Sequence, residues 1–84
     1  MAKTSPSPTY PMYPEDASAV TLSDSADLAQ FSVVYVGVGG NVKVTTAQGS
    51  TVTFTEAPSG STLPVRVRRV FSTGTTASNL VAIF

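Results

Sequence analysis

The 84-residue chain contains no cysteine, no histidine and no tryptophan. Without cysteine it can form no disulfide and offers no thiolate, and without histidine it lacks the commonest general base and transition-metal ligand. Charge is scarce too: 12% of residues are charged, five of each sign, for a formal net charge of zero. So balanced a chain has no long-range field to draw in nucleic acid and little mutual repulsion to keep copies apart. No apolar run approaches the length of a membrane span, and the start MAKTSPSPTYPMYP lacks the apolar stretch of a secretory signal. Synthesis in the cytoplasm and no membrane partner are expected.

The remaining groups make a thin catalytic inventory. Glu15, Asp16, Asp24 and Asp27 are the only grouped acids, and Glu56 stands alone beside a turn. Asp24 and Asp27 do not match the spacing of a calcium loop and offer too few oxygens, so a turn or capping role is expected of them and no metal site. The segment Gly37-Val38-Gly39-Gly40-Asn41-Val42 superficially resembles a dinucleotide fingerprint, but a strand pattern follows it where a phosphate cradle needs helix-terminal amides. No catalytic residue, no cofactor and no enzymatic activity are expected. Arg66, Arg68 and Arg69 form the one basic cluster; with no net positive charge and no interleaved stacking aromatics, it reads as a protein contact and not a nucleic-acid site.

What the chain does contain is alternation. From residue 31 onward, valine, phenylalanine and leucine recur at every second position, and glycine, proline, serine and asparagine fill the breaks. Phe31–Val36 reads as a strand, with the glycine-rich segment 37–41 turning it into a hairpin with the next. Val42 and Val44, then Val52 and Phe54, read as a second hairpin with its valine/phenylalanine face inward and its threonine/lysine face outward. Pro64 opens a strand whose inward face runs through Val65 and Val67 to Val70 or Phe71. The adjacent Arg68 and Arg69 break its alternation, which calls for a bulge or for an arginine aimed at a partner, because an unpaired buried guanidinium is costly. Leu80–Phe84 reads as the last strand, and its terminal Phe84 is expected to be packed. Ahead of these, Ala19–Leu22 suits a short strand, and 26–30 one helical turn or a loop after the turn oxygens of Ser23, Asp24 and Ser25.

The fold class is therefore all-β: a small antiparallel sandwich or partly open barrel of five to six strands, with an extended N-terminal arm. Residues 1–18 are expected to be a Pro/Tyr-rich arm and 19–84 the β domain. Pro6, Pro8, Pro11 and Pro14 bar helix and central strand from the arm. Its Tyr10, Met12 and Tyr13 are more than a solvating tail needs, so the arm is expected to order against a neighbouring subunit. A domain this small buries barely enough to offset its ordering entropy. With disulfides excluded and metal ligands missing, oligomerisation is the expected source of further stability.

Tyr35–Thr45 (YVGVGGNVKVT), Thr51–Phe54 (TVTF), Leu63–Val70 (LPVRVRRV) and Thr73–Ala77 (TGTTA), and more loosely Asp16–Leu28, resemble in order the head-spike base proteins of bacterial gene transfer agents and related tailed phages. The resemblance covers a little over half the chain and none of its motifs is catalytic. It implies a virion structural protein on the outer face of the head, assembled in the host cytoplasm and serving as the base for a spike or fibre at the capsid vertices. It implies as partners the major capsid protein and a spike or fibre protein, and a homo-oligomer matching the vertex, hence a pentamer. Residues expected at interfaces with capsid, sister subunits or fibre are Tyr10, Met12, Tyr13, Arg66, Arg68, Arg69 and Phe84. The competing readings are a decoration or cement protein spread over the capsid lattice, and a host-glycan-binding adhesin module, for which three tyrosines and no tryptophan make a poor aromatic platform.

Overall fold

The computed structural model describes residues 14–84, which form six strands: β1 (Ala17–Ala19), β2 (Ser32–Val38), β3 (Gly40–Thr46), β4 (Thr51–Ala57), β5 (Thr62–Val70) and β6 (Ser78–Ile83). All pair antiparallel in one open sheet of order β1-β6-β2-β5-β3-β4, and the described residues contain no helix. The all-β expectation is met. Residues 26–30 take the loop alternative, and the short N-terminal strand forms at Ala17–Ala19, earlier than the 19–22 stretch suggested by its apolar residues.

The topology differs from the sequence reading at one decisive place. β2 and β3 do not form a hairpin: they are separated by Gly39 alone, and β5 lies between them. Ser32 at the start of β2 and Thr46 at the end of β3 both register with Val67, one on each side of β5. The chain from 32 to 46 thus leaves β5 on one side and returns to it on the other. The sheet must curl around its own inner face to allow this, which is how a helix-free fold buries Val34, Val36, Val42, Val44 and Val67 completely.

Glycine permits the curl by removing side chains from two crossings. A Cβ on Gly37 would collide with the backbone oxygen of Asn79, and one on Gly40 would lie 2.7 Å from Thr76 Oγ1 and 2.8 Å from the Ala77 nitrogen. These glycines serve close approach of chain segments, not a tight turn, and so the local pattern was compatible with a hairpin that does not form.

Loop 72–77 then completes the part of β3 that β5 leaves unpaired. Asn41 N–H donates to Thr76 Oγ1 (2.8 Å), Lys43 N–H donates to Thr75 Oγ1 (3.0 Å), and Thr76 N–H donates to the Asn41 carbonyl (2.8 Å). Threonine hydroxyls here do the work of a missing strand.

The β3–β4 hairpin forms as its alternation implies, with Val42 opposite Phe54 and Val44 opposite Val52. Its inward face is incomplete. Val42 and Val44 are fully buried, but Val52 is 41% exposed, because β4 is the sheet edge and little of the core reaches it. An extra β4 residue is accommodated between the Gly40–Ala57 and Val42–Phe54 pairs; there Glu56 takes a left-handed φ of 54°, and its N–H donates to Asn41 Oδ1 at 3.0 Å.

In β5 the two arginines break alternation as a bulge. Thr45 registers with Arg69 and Thr46 with Val67, leaving Arg68 as the extra residue. The bulge lets Val67 and Val70, three positions apart, both face the core at 0% and 1% exposure, and the expected inward Val65 packs only at the core margin. Leu22 and Leu28 of the first loop also pack against this core.

Candidate interaction surfaces

The basic cluster is held largely by contacts inside the chain. Arg69 Nε donates to Asp27 Oδ1 at 2.8 Å, with 26% and 44% of the two side chains exposed. Its guanidinium also lies 5.8 Å from the Phe71 ring centroid, and Lys43 Nζ lies 5.0 Å from the same ring. Arg66 Nη1 donates to the Phe31 carbonyl at 3.4 Å. Arg68 sits at the bulge, where Leu28 N–H donates to its carbonyl and its Nε is enclosed without a hydrogen-bond acceptor. The three arginines fan out from β5 toward different neighbours; the bulge prevents them from forming one aligned row.

The two loop aspartates are similarly occupied. Asp24 Oδ1 accepts from the N–H groups of Ser72 (3.1 Å) and Thr73 (2.9 Å), and Oδ2 accepts from the Thr73 hydroxyl (2.6 Å). The Thr73 hydroxyl, followed by the Thr73 amide, holds the Asp24 carboxyl below its ordinary pKa. Ser23 Oγ accepts from the Ser25 and Ala26 amides and so serves the local turn as expected, whereas Asp24 and Asp27 depart from the expected turn or capping role by reaching loop 72–77 and Arg69, because those donors lie beside the first loop. With Asp27 on Arg69 and Asp24 on loop 72–77, neither carboxylate faces the other around an ion. Among the described residues no group of three or more acidic, histidine or cysteine side chains could hold a metal.

Phe84 is half-buried, and its backbone is tied at both ends of the chain: its N–H donates to Asp16 O (2.9 Å), and its carbonyl accepts from Glu15 and Asp16 N–H (2.8 Å each). It helps to line a groove of about 280 Å³ between the first loop and the inner face of β1, β6 and β2, with Ser18, Thr21, Asp27, Leu28 and Ser32. Hydroxyls, alkyl groups, the Gln30 carboxamide and the Phe84 ring line it, and its one acidic side chain, Asp27, is paired with Arg69. Its hydroxyls have no histidine or lysine beside them to activate them, since the lining contains neither. Tyr10, Met12 and Tyr13 lie outside the described residues.

A surface that sequence reasoning missed lies on the outer side of β1, β6 and β2. Val33 registers with Ile83 and Tyr35 with Val81, while Ala17 and Ala19 register with Ile83 and Val81. Their alternate neighbours Val34, Val36, Leu80 and Ala82 point into the core. Strands β2 and β6 are therefore apolar on both faces. The available signal was the unbroken runs VVYV and LVAI, which alternation alone does not distinguish from one-faced strands.

No protein-family model matches the chain, and no curated protein does. Among solved structures it is similar, at 39% sequence identity and a TM-score of 0.75, to a chain of a structure titled as the capsid of a native GTA (gene transfer agent) particle computed with C5 symmetry; the similarity covers 84% of this chain and 83% of that one. The chain belongs to this gene transfer agent capsid family. The similarity spans most of both chains. In this capsid-family chain the TGTTA segment is the loop that stitches β3 and the LPVRVRRV segment is the bulged central strand.

Proposed function

We propose that the protein is a non-catalytic structural component of a virion or gene transfer agent particle, carried on the outer surface of the head as the base of a spike or fibre at the capsid vertices. The observation that carries the reading is the 39% identity, over most of both chains, to a chain of a gene transfer agent capsid. The relative's particle was computed with C5 symmetry, and a base seated on such an axis would be a pentamer. In this role the chain contacts the major capsid protein on one side, a spike or fibre protein on the other and sister copies laterally. The interior agrees with such a part: a rigid valine core, no reactive cluster among the described residues, and surface joints built from threonine hydroxyls.

The test is the number and position of copies in purified particles. A vertex base occurs at a small fraction of the major capsid protein and labels the vertices. Copies approaching those of the capsid protein, spread over the lattice, favour the cement reading, and absence from particles ends both. The adhesin reading has less to stand on, since Tyr35 is the one exposed aromatic among the described residues.

A further inference from the structure

The outer side of β1, β6 and β2 presents six adjoining apolar side chains in three registered rows: Ala17 and Ala19, Ile83 and Val81, Val33 and Tyr35. No charged residue interrupts them, and Arg66, opposite Val33 on β5, stands at the border. Val33, Val81 and Ile83 are half-buried, Tyr35 is 37% exposed, and none of the four belongs to the core cluster. An antiparallel sheet with one wet face ordinarily alternates apolar and polar residues, so an apolar outer row across three strands marks a face that another surface covers.

We propose that the occupant of this face is the Pro/Tyr-rich segment 1–13 of a neighbouring copy, with Tyr10, Met12 and Tyr13 as its anchors. Three observations select that occupant. First, a proline-rich segment pairs well with a shallow apolar surface bearing an exposed aromatic, because it loses little entropy on docking and Tyr35 is 37% exposed there. Secondly, both surfaces are nearly uncharged: the segment has Lys3 alone, and the face has none. Thirdly, the point of departure directs the segment away from its own sheet. β1 runs antiparallel to β6, and the amides of Glu15 and Asp16 are fastened to the Phe84 carbonyl, so the described residues begin, at Pro14, beyond the end of β6. Prolines at 6, 8, 11 and 14 oppose the sharp reversal needed to return. The anchors Tyr10, Met12 and Tyr13 stand one to four residues before Pro14, within about 14 Å of it even when fully extended, so their acceptor is a copy that directly abuts the end of β6. Such an exchange is heterologous, tail of one copy to face of the next, the kind of contact that closes a ring of odd order.

The inference rests on the ring reading only in requiring a second copy, and its test needs no particles. The cysteine-free full-length chain permits site-directed disulfide trapping. Tyr13→Cys chains are mixed with Val81→Cys chains, or with Val33→Cys chains as a second acceptor, and oxidised; Thr53→Cys on exposed β4 is the control acceptor. Expected is a mixed dimer with either face acceptor at ~10-fold or more over the control, the advantage that a docked segment's effective concentration gives. Yields equal to the control, or a chain that stays monomeric and untrapped, overturn the proposal. In a single chain carrying Tyr13→Cys and Val81→Cys, a purely intramolecular disulfide also overturns it, by placing the segment on its own sheet. Failure here with vertex-located copies in particles would leave the capsid role standing and remove only the arm exchange.

Discussion

The outer surface of the sheet has two halves that use opposite chemistry. Around β3 and the end of β5, Lys43, Arg69, Asp27 and Phe71 contact one another, and loop 72–77 is clamped by Asp24, so the polar groups there are largely satisfied within the chain. Around β1, β6 and β2 the exposed rows are alanine, valine, isoleucine and tyrosine with no charge among them. The contrast teaches that charge marks where this protein holds itself together, while neutrality marks where it has most to gain from a neighbour. Burial of apolar area contributes about 25 cal/mol per Å², whereas an exposed ion pair contributes about 0–1 kcal/mol. A small domain recruiting extra stability from its neighbours gains far more through its apolar half.

Substitutions can break this comparison in graded steps. The largest effect belongs to the inner face shared by both halves: Val36→Ala removes two methyl groups from a fully buried site and should cost about 2–3 kcal/mol in denaturant unfolding. Next comes the seam between β2 and β6. Gly37→Ala drives a Cβ into the Asn79 backbone, and a loss of about 1–3 kcal/mol is expected from the forced shift; a melting temperature equal to that of the parent would show that the two strands part easily. In the charged half, a double-mutant cycle on Asp27→Ala and Arg69→Ser should give a coupling of about 0.2–1 kcal/mol, fading with added salt. A coupling insensitive to salt would mean that the pair is more enclosed than its exposure indicates.

The smallest effect is expected from Asp24→Asn, and it carries a pH signature. Because Thr73 and Ser72 hold the folded-state carboxyl below its ordinary value, the Asp24 clamp contributes stability that is fully present above the unfolded-state carboxylate pKa. That contribution is lost as pH falls through the lowered folded value. Acid unfolding followed from neutral pH downward should therefore be less steep in Asp24→Asn than in the parent. Identical acid limbs would show that the clamp is formed by the neutral carboxyl equally well.

The strand positions of both halves were legible in the sequence, but the pairings were not: Arg69 was expected to face a partner and instead meets Asp27 of its own chain. Adjacent Arg68 and Arg69 within an alternating run called for a bulge or a partner-facing arginine, and the register decides for the bulge, the extra residue letting Val67 and Val70 share the core. Strand positions from Ser32 to Ile83 followed the period-two pattern closely. Pairing partners did not follow, because alternation fixes which side a residue faces and not which strand lies beside it. The glycines at 37, 39 and 40 signalled a turn, whereas the fold uses them to bring β2 against Asn79 and β3 against Thr76. Val52 shows the same limit: its alternation is correct, yet an edge strand has less core to meet. The doubly apolar strands β2 and β6 could be seen as runs, but their outer rows became a surface only once the register placed Tyr35 beside Val81.

The central claim is that the apolar outer half serves assembly and not folding, and the double variant Tyr35→Thr, Val81→Thr addresses it most directly, since threonine preserves strand preference while removing aromatic and methyl area. Its incorporation into particles should be measured beside its unfolding free energy. The account expects incorporation to be lost while stability at low protein concentration changes by no more than about 1 kcal/mol. Normal incorporation together with a large loss of stability would contradict it.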